Sequence, residues 1–218
     1  MDKAVSKTAG HLGFWSAVLS ATFGIMYIAG ELAHLSGMLG LHDSPESLAV
    51  RMVPSLLLPI AFVVLMTTIH DGAPKQSRIW AHLALAFAVI YAVLVSFVYF
   101  VELAVVIPRT IQGEADQVAL LIFGFGTFMF AVDILGYAFM SLSTLLAAPV
   151  FDDSGLERWI RRALIINGLL APAIALQIFY PPLFYVAAIW AVSFPAATVM
   201  LAVWFRRAQQ AAATRYRP

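Results

Sequence analysis

The longest uncharged run in the chain constrains its fold most, because it covers residues 163–205, 43 positions in succession. A single helix of that length would extend about 65 Å at ~1.5 Å per residue, roughly twice the ~30 Å hydrocarbon core of a bilayer. Tyr180-Pro181-Pro182 interrupts the run, and a proline in a helix interior removes a hydrogen bond and clashes with the preceding turn. The run therefore predicts two membrane-spanning helices joined by a short turn.

Three earlier uncharged runs each have the length of one span. They cover residues 12–29, 52–69 and 79–101, and about 20 apolar residues cross a bilayer as a helix. Hydrophobic residues make up 62% of the 218-residue chain and charged residues 11%, against roughly 45–50% and 25% in soluble domains. So few charges exclude a water-soluble globule, and the absence of cysteine excludes disulfides and thiolate sites.

The segment 117–151 contains one charged residue, Asp133, and is long enough for one tilted helix or two short ones. Gly124, Gly126 and Gly136 are tolerated in membrane helices, where they permit close packing. We therefore predict one helix here and six spans in total. The predicted fold is a single all-α domain over residues 1–218, an integral membrane bundle with spans at about 12–34, 46–70, 78–107, 115–149, 156–180 and 183–207.

The basic residues predict the orientation of the bundle. With six spans, 11 of the 13 Lys and Arg residues fall on the side that holds both termini, and only Arg51 and Arg109 fall on the other. Short cytoplasmic loops carry an excess of Lys and Arg, so both termini are predicted to be cytoplasmic, in a multi-pass protein of the cell inner membrane. A seventh span would move seven arginines to the outer side, which the same rule disfavours.

A few ionisable residues fall within or beside the apolar segments and are the candidate functional residues. An acid at the bilayer centre costs about 2.5–3.5 kcal/mol on insertion scales, so such groups usually face a protein interior or a water cavity. Glu31, Glu102 and Asp133 are the candidate catalytic acids, and helical spacing puts a tyrosine near each. The predicted ligand-binding residues are Tyr27, Glu31, His34, Tyr99, Glu102, Asp133, Tyr137 and Gln177.

Depth in the membrane predicts one outward-opening pocket with Arg51 and Arg109 at its mouth. The residues predicted to line it are Glu31, Glu102 and one or more of Tyr27, Tyr99 and Gln177. Glu31, Glu102 and Gln177 each lie near the outer end of a predicted span, at a similar level. The alternative is that the acids form packing pairs, Glu31 with Arg51 and Glu102 with Arg109. If the two glutamates do not share a cavity, neither binding nor catalysis follows from them.

Asp133 is predicted close to mid-membrane, with Tyr137 one helical turn further on. A lone carboxylate is costly in hydrocarbon. We therefore expect Asp133 to be protonated, or hydrogen-bonded to Tyr137 or to a neighbouring helix, and to face away from the lipid.

Metal, cofactor and nucleic-acid sites are not predicted. His34 and His42 fall in one external segment and His70 and His82 near the inner ends of two helices, but no His-x-x-x-His pair occurs on one helix. Nucleotide-loop and hydrolase motifs are absent, and no basic face indicates nucleic-acid binding. The expected partners are the lipid bilayer and a hydrophobic or amphiphilic small molecule, and the sequence is compatible with a homo-oligomer.

Two motifs carry a resemblance to a known family. The third predicted helix contains Tyr99-Phe-Val-Glu102, and the fifth begins Glu157-Arg-Trp-Ile-Arg-Arg-Ala-Leu-Ile-Ile-Asn-Gly168. Over residues 88–207 the chain resembles a family of six-helix bacterial and archaeal membrane proteins catalogued as domain of unknown function 4386. The resemblance implies a six-helix fold and no particular activity, so no catalytic residue is carried over.

Three functions remain open from the sequence. The first is a membrane protein with an outward-opening polar pocket for a small or amphiphilic ligand. The second is an integral membrane enzyme, of the isoprenoid or lipid cyclase or isomerase type, that uses intramembrane carboxylic acids as general acid and base. The third is a structural or assembly subunit without a ligand. A hydrophobic ligand beside the acids favours the first two, and a fully paired interior favours the third.

Overall fold

The computed structural model describes residues 7–36 and 45–215. Within these ranges the chain is all-helical and contains no strand. The α-helices are α1 (Lys7–Leu35), α2 (Pro45–Asp71), α3 (Arg78–Val101), α4 (Ile107–Ile111), α5 (Phe128–Ala147), α6 (Gly155–Leu169), α7 (Ala171–Leu176), α8 (Leu183–Ala187) and α9 (Trp190–Arg215). His42, one of the histidines in the predicted external segment, lies outside the described residues.

Six helical segments are long and apolar enough to cross a membrane, which confirms the predicted number of spans. They are Thr8–His34, Ser47–Asp71, Lys75–Ile111, Phe128–Val150, Gly155–Leu176 and Leu183–Ala211. The last two are separated at Tyr180-Pro181-Pro182, the turn that the prolines predict. The chain is therefore a multi-pass helical membrane protein by length and composition.

The six spans form a closed ring. The helix α1 packs on α2, α2 on α3, α3 on α5, α5 on α6, α6 on α9, and α9 returns to α1. The Gln209 side chain donates a hydrogen bond to the Gly10 carbonyl at 2.7 Å, which joins the first and last spans at one end of the ring. We call this the proximal end, and the opposite end, which carries Glu31 and the connection 112–127, the distal end. Phe62 and Phe194 meet at the centre, with ring centroids 5.9 Å apart.

The fourth span is shorter than the sequence predicts. Its α-helix begins at Phe128 rather than near residue 115, and residues Ala115–Leu121 form a 3-10 helix followed by extended backbone at Ile122. Asp133 consequently lies five residues after the first residue of α5, about 7.5 Å along the axis at ~1.5 Å per residue, in the distal half of this helix.

Local chemistry explains where α5 begins. Gly126 has a φ of 81°, a left-handed conformation that glycine adopts without steric cost. Thr127 is the N-cap, and its side-chain oxygen accepts a hydrogen bond from the Phe130 N–H at 3.2 Å. The prediction that Gly124 and Gly126 pack within a helix is therefore wrong, because both belong to the connection before α5.

The third span widens near its distal end. Residues Glu102–Val106 form a π-helical turn, in which the Ile107 N–H donates to the Glu102 carbonyl five residues earlier. Pro108 follows directly, and its ring would clash with the carbonyl four residues before it in a regular α-helix. The widened turn accommodates the proline and places Glu102 on the inner side of the span, where it is 2% exposed.

Candidate ligand-binding site

A cavity of about 330 Å³ lies inside the distal end of the ring, between α1, α5, α7, α8 and the start of α9. Most of its wall is apolar or aromatic, and the residues that line it are Tyr27, Ile28, Glu31, Leu32, Phe123, Phe130, Asp133, Ile134, Tyr137, Ile174, Gln177, Phe184, Ala187, Ala188, Trp190 and Ala191. Leu32 and Phe184 on the wall are exposed, so the cavity is open beside these two side chains. Below we call it the distal cavity. Its volume is at the lower end of the ~300–1,000 Å³ typical of small-molecule sites.

Asp133 is the buried acid on the wall of the distal cavity. Its side chain is 4% exposed, so it faces the interior of the ring rather than lipid. Its Oδ1 atom has no hydrogen-bond partner among the described residues, and neither does the Tyr137 hydroxyl. The expected hydrogen bond between these two groups is therefore not formed, although both line the cavity.

Other buried polar groups near Asp133 also lack partners. Within the described part of the chain, no hydrogen bond reaches the hydroxyls of Tyr91 and Tyr99 or the indole nitrogen of Trp190. The Tyr99 hydroxyl lies within hydrogen-bonding range of the Asp133 carboxyl group, but the two do not have the geometry of a formed hydrogen bond. A buried polar group without a partner costs about 1–3 kcal/mol, and such groups are uncommon in native interiors. Three of these groups, those of Asp133, Tyr137 and Trp190, line the cavity, where a ligand could supply the missing hydrogen bonds.

Aromatic rings form one corner of the distal cavity. Tyr137 and Trp190 are nearly perpendicular, with centroids 5.3 Å apart and an interplanar angle of 88°. Tyr27 stacks on Tyr137 at 6.5 Å and meets Trp190 edge-on at 6.3 Å. These rings come from three helices, so the corner exists only when α1, α5 and α9 are assembled.

Glu31 also lines the cavity, and it is paired with a cation. Arg51 Nε donates to Glu31 Oε1 at 2.8 Å, and Arg51 Nη2 donates to Oε2 at 3.2 Å. The arginine side chain is 10% exposed and the glutamate 27%. The two-point geometry ties the distal ends of α1 and α2 together, and it confirms the predicted Glu31–Arg51 pair.

Glu102 does not line the distal cavity, so the predicted pocket shared by Glu31 and Glu102 is wrong. Its carboxylate accepts a hydrogen bond from the Phe123 N–H at 3.1 Å, which fastens the connection before α5 to the third span. The predicted pair of Glu102 with Arg109 is also wrong, because Arg109 pairs with Glu114. The cause is the turn at 112–114, which brings Glu114 back to the arginine five residues before it.

Of three further predicted ligand-binding residues, one lies on the wall of the distal cavity and two do not. Gln177 lines the cavity and is 6% exposed, with its amide donating to the Ile174 carbonyl at 2.9 Å. Tyr99 lies behind the wall, with its ring 5.9 Å from that of Phe123. His34 is half-buried in the last turn of α1 and is not on the wall. That any of these residues binds a ligand stays a prediction.

The two other histidines considered above meet at the proximal end. The rings of His70 and His82 are 5.5 Å apart, far from the distal cavity. Within residues 7–36 and 45–215, no group of three or more His, Asp or Glu side chains could hold a metal ion.

Several wall residues were not singled out from the sequence. Trp190, Phe130 and Phe123 line the cavity, yet nothing in their spacing separates them from the many lipid-facing aromatics of the chain.

Comparison with models of known protein families, with curated proteins and with solved structures finds no match to this chain.

Proposed function

We propose that this membrane protein binds a small amphiphilic ligand in the distal cavity. The observation that carries the proposal is Asp133, a 4% exposed carboxyl group with an unpartnered oxygen on the wall of an aromatic-lined cavity. Polar groups of the ligand would meet Asp133 and Gln177, and its apolar part would lie against the rings. The proposal rests on Asp133 rather than on the pair of glutamates that the sequence favoured.

We further propose that the distal end faces the outside of the inner membrane, with both termini cytoplasmic. Eleven of the 13 Lys and Arg residues lie towards the proximal end by sequence, and the positive-inside rule assigns that end to the cytoplasm. The ligand would then enter from the outer side or the outer leaflet.

Two other functions receive less support from the geometry. An enzyme that uses two carboxylic acids as general acid and general base needs both of them free in one cavity, but Glu31 is bound to Arg51 and Glu102 accepts a backbone hydrogen bond outside the cavity. A subunit with a purely structural interior would satisfy its buried polar groups, whereas Asp133 Oδ1 and Trp190 Nε1 have no partners among the described residues.

The test uses three small amphiphiles that share a hexyl tail: hexyltrimethylammonium, hexylsulfate and 1-hexanol. At ~30 Å³ for each water-sized group, the cavity holds roughly ten non-hydrogen atoms, which matches this size. The full-length protein in lipid nanodiscs is titrated with each, and its Tm and tryptophan fluorescence are recorded. We expect at least one compound to raise the Tm saturably.

Two variants of α9 separate binding in the cavity from partitioning into lipid. Ala191→Phe fills the cavity, because Ala191 is on its wall, whereas Ala196→Phe adds the same ring at an exposed position away from it. The proposal requires that the first variant abolish the saturable response and the second keep it. It is wrong if none of the three compounds acts on the parent protein, or if Ala191→Phe responds as the parent does.

A further inference from the structure

The charged residues on the wall of the distal cavity bear on the class of its ligand, and this inference rests on the proposed function. Among the residues that the structure describes, the wall contains two acids and no Lys, Arg or His. Glu31 has its counter-charge in Arg51, which binds both carboxylate oxygens. Asp133 has no such partner. The wall therefore carries one acid that nothing in the described structure neutralises.

The titratable groups near Asp133 are tyrosine hydroxyls and one further acid. From α1 these are Tyr27 and Glu31, and from α3 Tyr91 and Tyr99. Tyr137 follows on α5 itself, and Arg51 of α2 is engaged by Glu31. An ionised carboxylate in such an interior is costly unless a positive charge accompanies it. A proton or a cationic ligand can supply that charge.

The aromatic corner beside Asp133 suits a cation better than it suits an anion or a neutral head group. Tyr27, Tyr137 and Trp190 present ring faces and edges on one side of the cavity. The negative electrostatic potential over a ring face attracts ammonium groups, and cages of aromatic rings recognise quaternary ammonium ligands. An anionic head group would be repelled by the acid and by the ring faces.

We infer that the ligand of the distal cavity is a lipophilic organic cation, a quaternary or protonated amine with a short apolar tail, and that Asp133 is its counter-ion. The aromatic corner contacts the head group from one side, and Phe123, Phe130 and Phe184 contact the tail. A cation and a proton compete for the same carboxylate, so binding of a permanently charged cation releases a proton from any protonated Asp133. Affinity for that cation consequently rises with pH across the range in which the carboxyl group titrates.

The test measures the affinity of hexyltrimethylammonium for the nanodisc-embedded protein and for two aspartate variants. Asp133→Asn removes the counter-ion with little change in shape. Asp116→Asn is the matched control, since it removes the same charge from the exposed connection at the same end of the ring. We expect at least a tenfold loss of affinity in the first variant and parent-like affinity in the second.

A second measurement needs no variant, in case Asp133→Asn fails to fold. Hexyltrimethylammonium is added to the parent protein in weak buffer across a series of pH values, and proton release and affinity are recorded together. We expect release of up to one proton per bound cation at the acidic end of the series and tighter binding at the alkaline end.

The outcomes separate this inference from the proposed function. Saturable binding of 1-hexanol or hexylsulfate in place of the cation overturns the inference and leaves the proposed function standing. Cation binding that is independent of pH and unchanged in Asp133→Asn also overturns the inference. Failure of all three hexyl compounds overturns both.

Discussion

At the scale of single residues, the acids of this chain differ by the partner that each one has. Glu31 pairs with an arginine, and Glu102 accepts a hydrogen bond from a backbone N–H. Asp133 lies in a cavity wall, and its Oδ1 atom has no hydrogen-bond partner among the described residues. All three are acids in apolar sequence, and their different surroundings follow from neighbouring elements. The consequence is that substitutions of similar chemistry should affect stability in one case and binding in another.

The Glu31–Arg51 pair should contribute to stability. Arg51 is nearly buried, and Glu31→Gln removes its counter-charge. Removing one partner of a buried pair costs about 3–5 kcal/mol of folding stability. We expect a loss towards the lower end, since Glu31 is 27% exposed. The free energy of unfolding can be measured by titration with a denaturing detergent in mixed micelles.

Two further variants check that this loss arises from the pair. Glu31→Gln with Arg51→Gln should cost less than the sum of the single changes, because neither charge is then left alone. Glu114→Gln breaks the exposed pair with Arg109 and should cost about 0–1 kcal/mol. Strict additivity of the first two changes would contradict the prediction.

At the scale of elements, the ring depends on close helix contacts and on defined helix starts. Gly168 of α6 lies against α5, where an added Cβ would be 2.8 Å from the Leu145 Cα atom and 2.9 Å from its nitrogen. The neighbouring Asn167 donates to Thr144 of α5 at 3.0 Å and accepts from Ser193 of α9 at 2.9 Å. Three spans are thus held at fixed separation behind the distal cavity.

Gly168→Ala should force α6 away from α5, because the backbone of Leu145 cannot yield to a methyl group as a flexible side chain would. Overpacking of this kind costs about 1–3 kcal/mol. Gly124→Ala is the control, since the nearest atom to its added Cβ is a Thr127 methyl carbon at 3.7 Å. In thermal unfolding in nanodiscs, Gly168→Ala should have a lower Tm than the parent, and Gly124→Ala should have nearly the parent's Tm.

The start of α5 should depend on Thr127. Thr127→Ala removes the acceptor for the Phe130 N–H, and loss of an N-cap costs about 0.5–2 kcal/mol. Thr127→Ser retains the hydroxyl and should restore most of that stability. Hydrogen exchange of the amides from Phe128 to Phe130 should be faster in the alanine variant than in the parent, and equal protection in both would exclude a capping role.

At the scale of the whole molecule, the closed ring explains how so small a membrane protein encloses a cavity. Each span has two neighbours, and the contact between α9 and α1 completes the ring. The centre is filled at mid-depth by Phe62, Tyr91 and Phe194, none more than 1% exposed. The cavity therefore lies at the distal end and does not continue through the ring at this level.

The proposed orientation predicts the result of reporter fusions. A fusion after Pro218 or within the 152–154 connection should report the cytoplasm, and one near Gly113 should report the outer side. The physical reason is the large excess of Lys and Arg towards the proximal end. A C-terminal fusion that reports the outer side would invert the proposed direction of ligand entry without changing the cavity.

The sequence by itself determined the class of the protein, the number of spans and the turn at Tyr180-Pro181-Pro182. These depend on local properties, because the bilayer fixes the length of an apolar helix and proline excludes itself from helix interiors. Only the tertiary structure decided where α5 begins, which acid lies in the cavity, and which rings surround it. Pairing between helices depends on their rotation and relative height, and the positive φ of Gly126 shifted Asp133 towards the end of its span. The same uncharged runs are compatible with many such arrangements, so the unpartnered carboxyl group of Asp133 emerges only when the ring is closed.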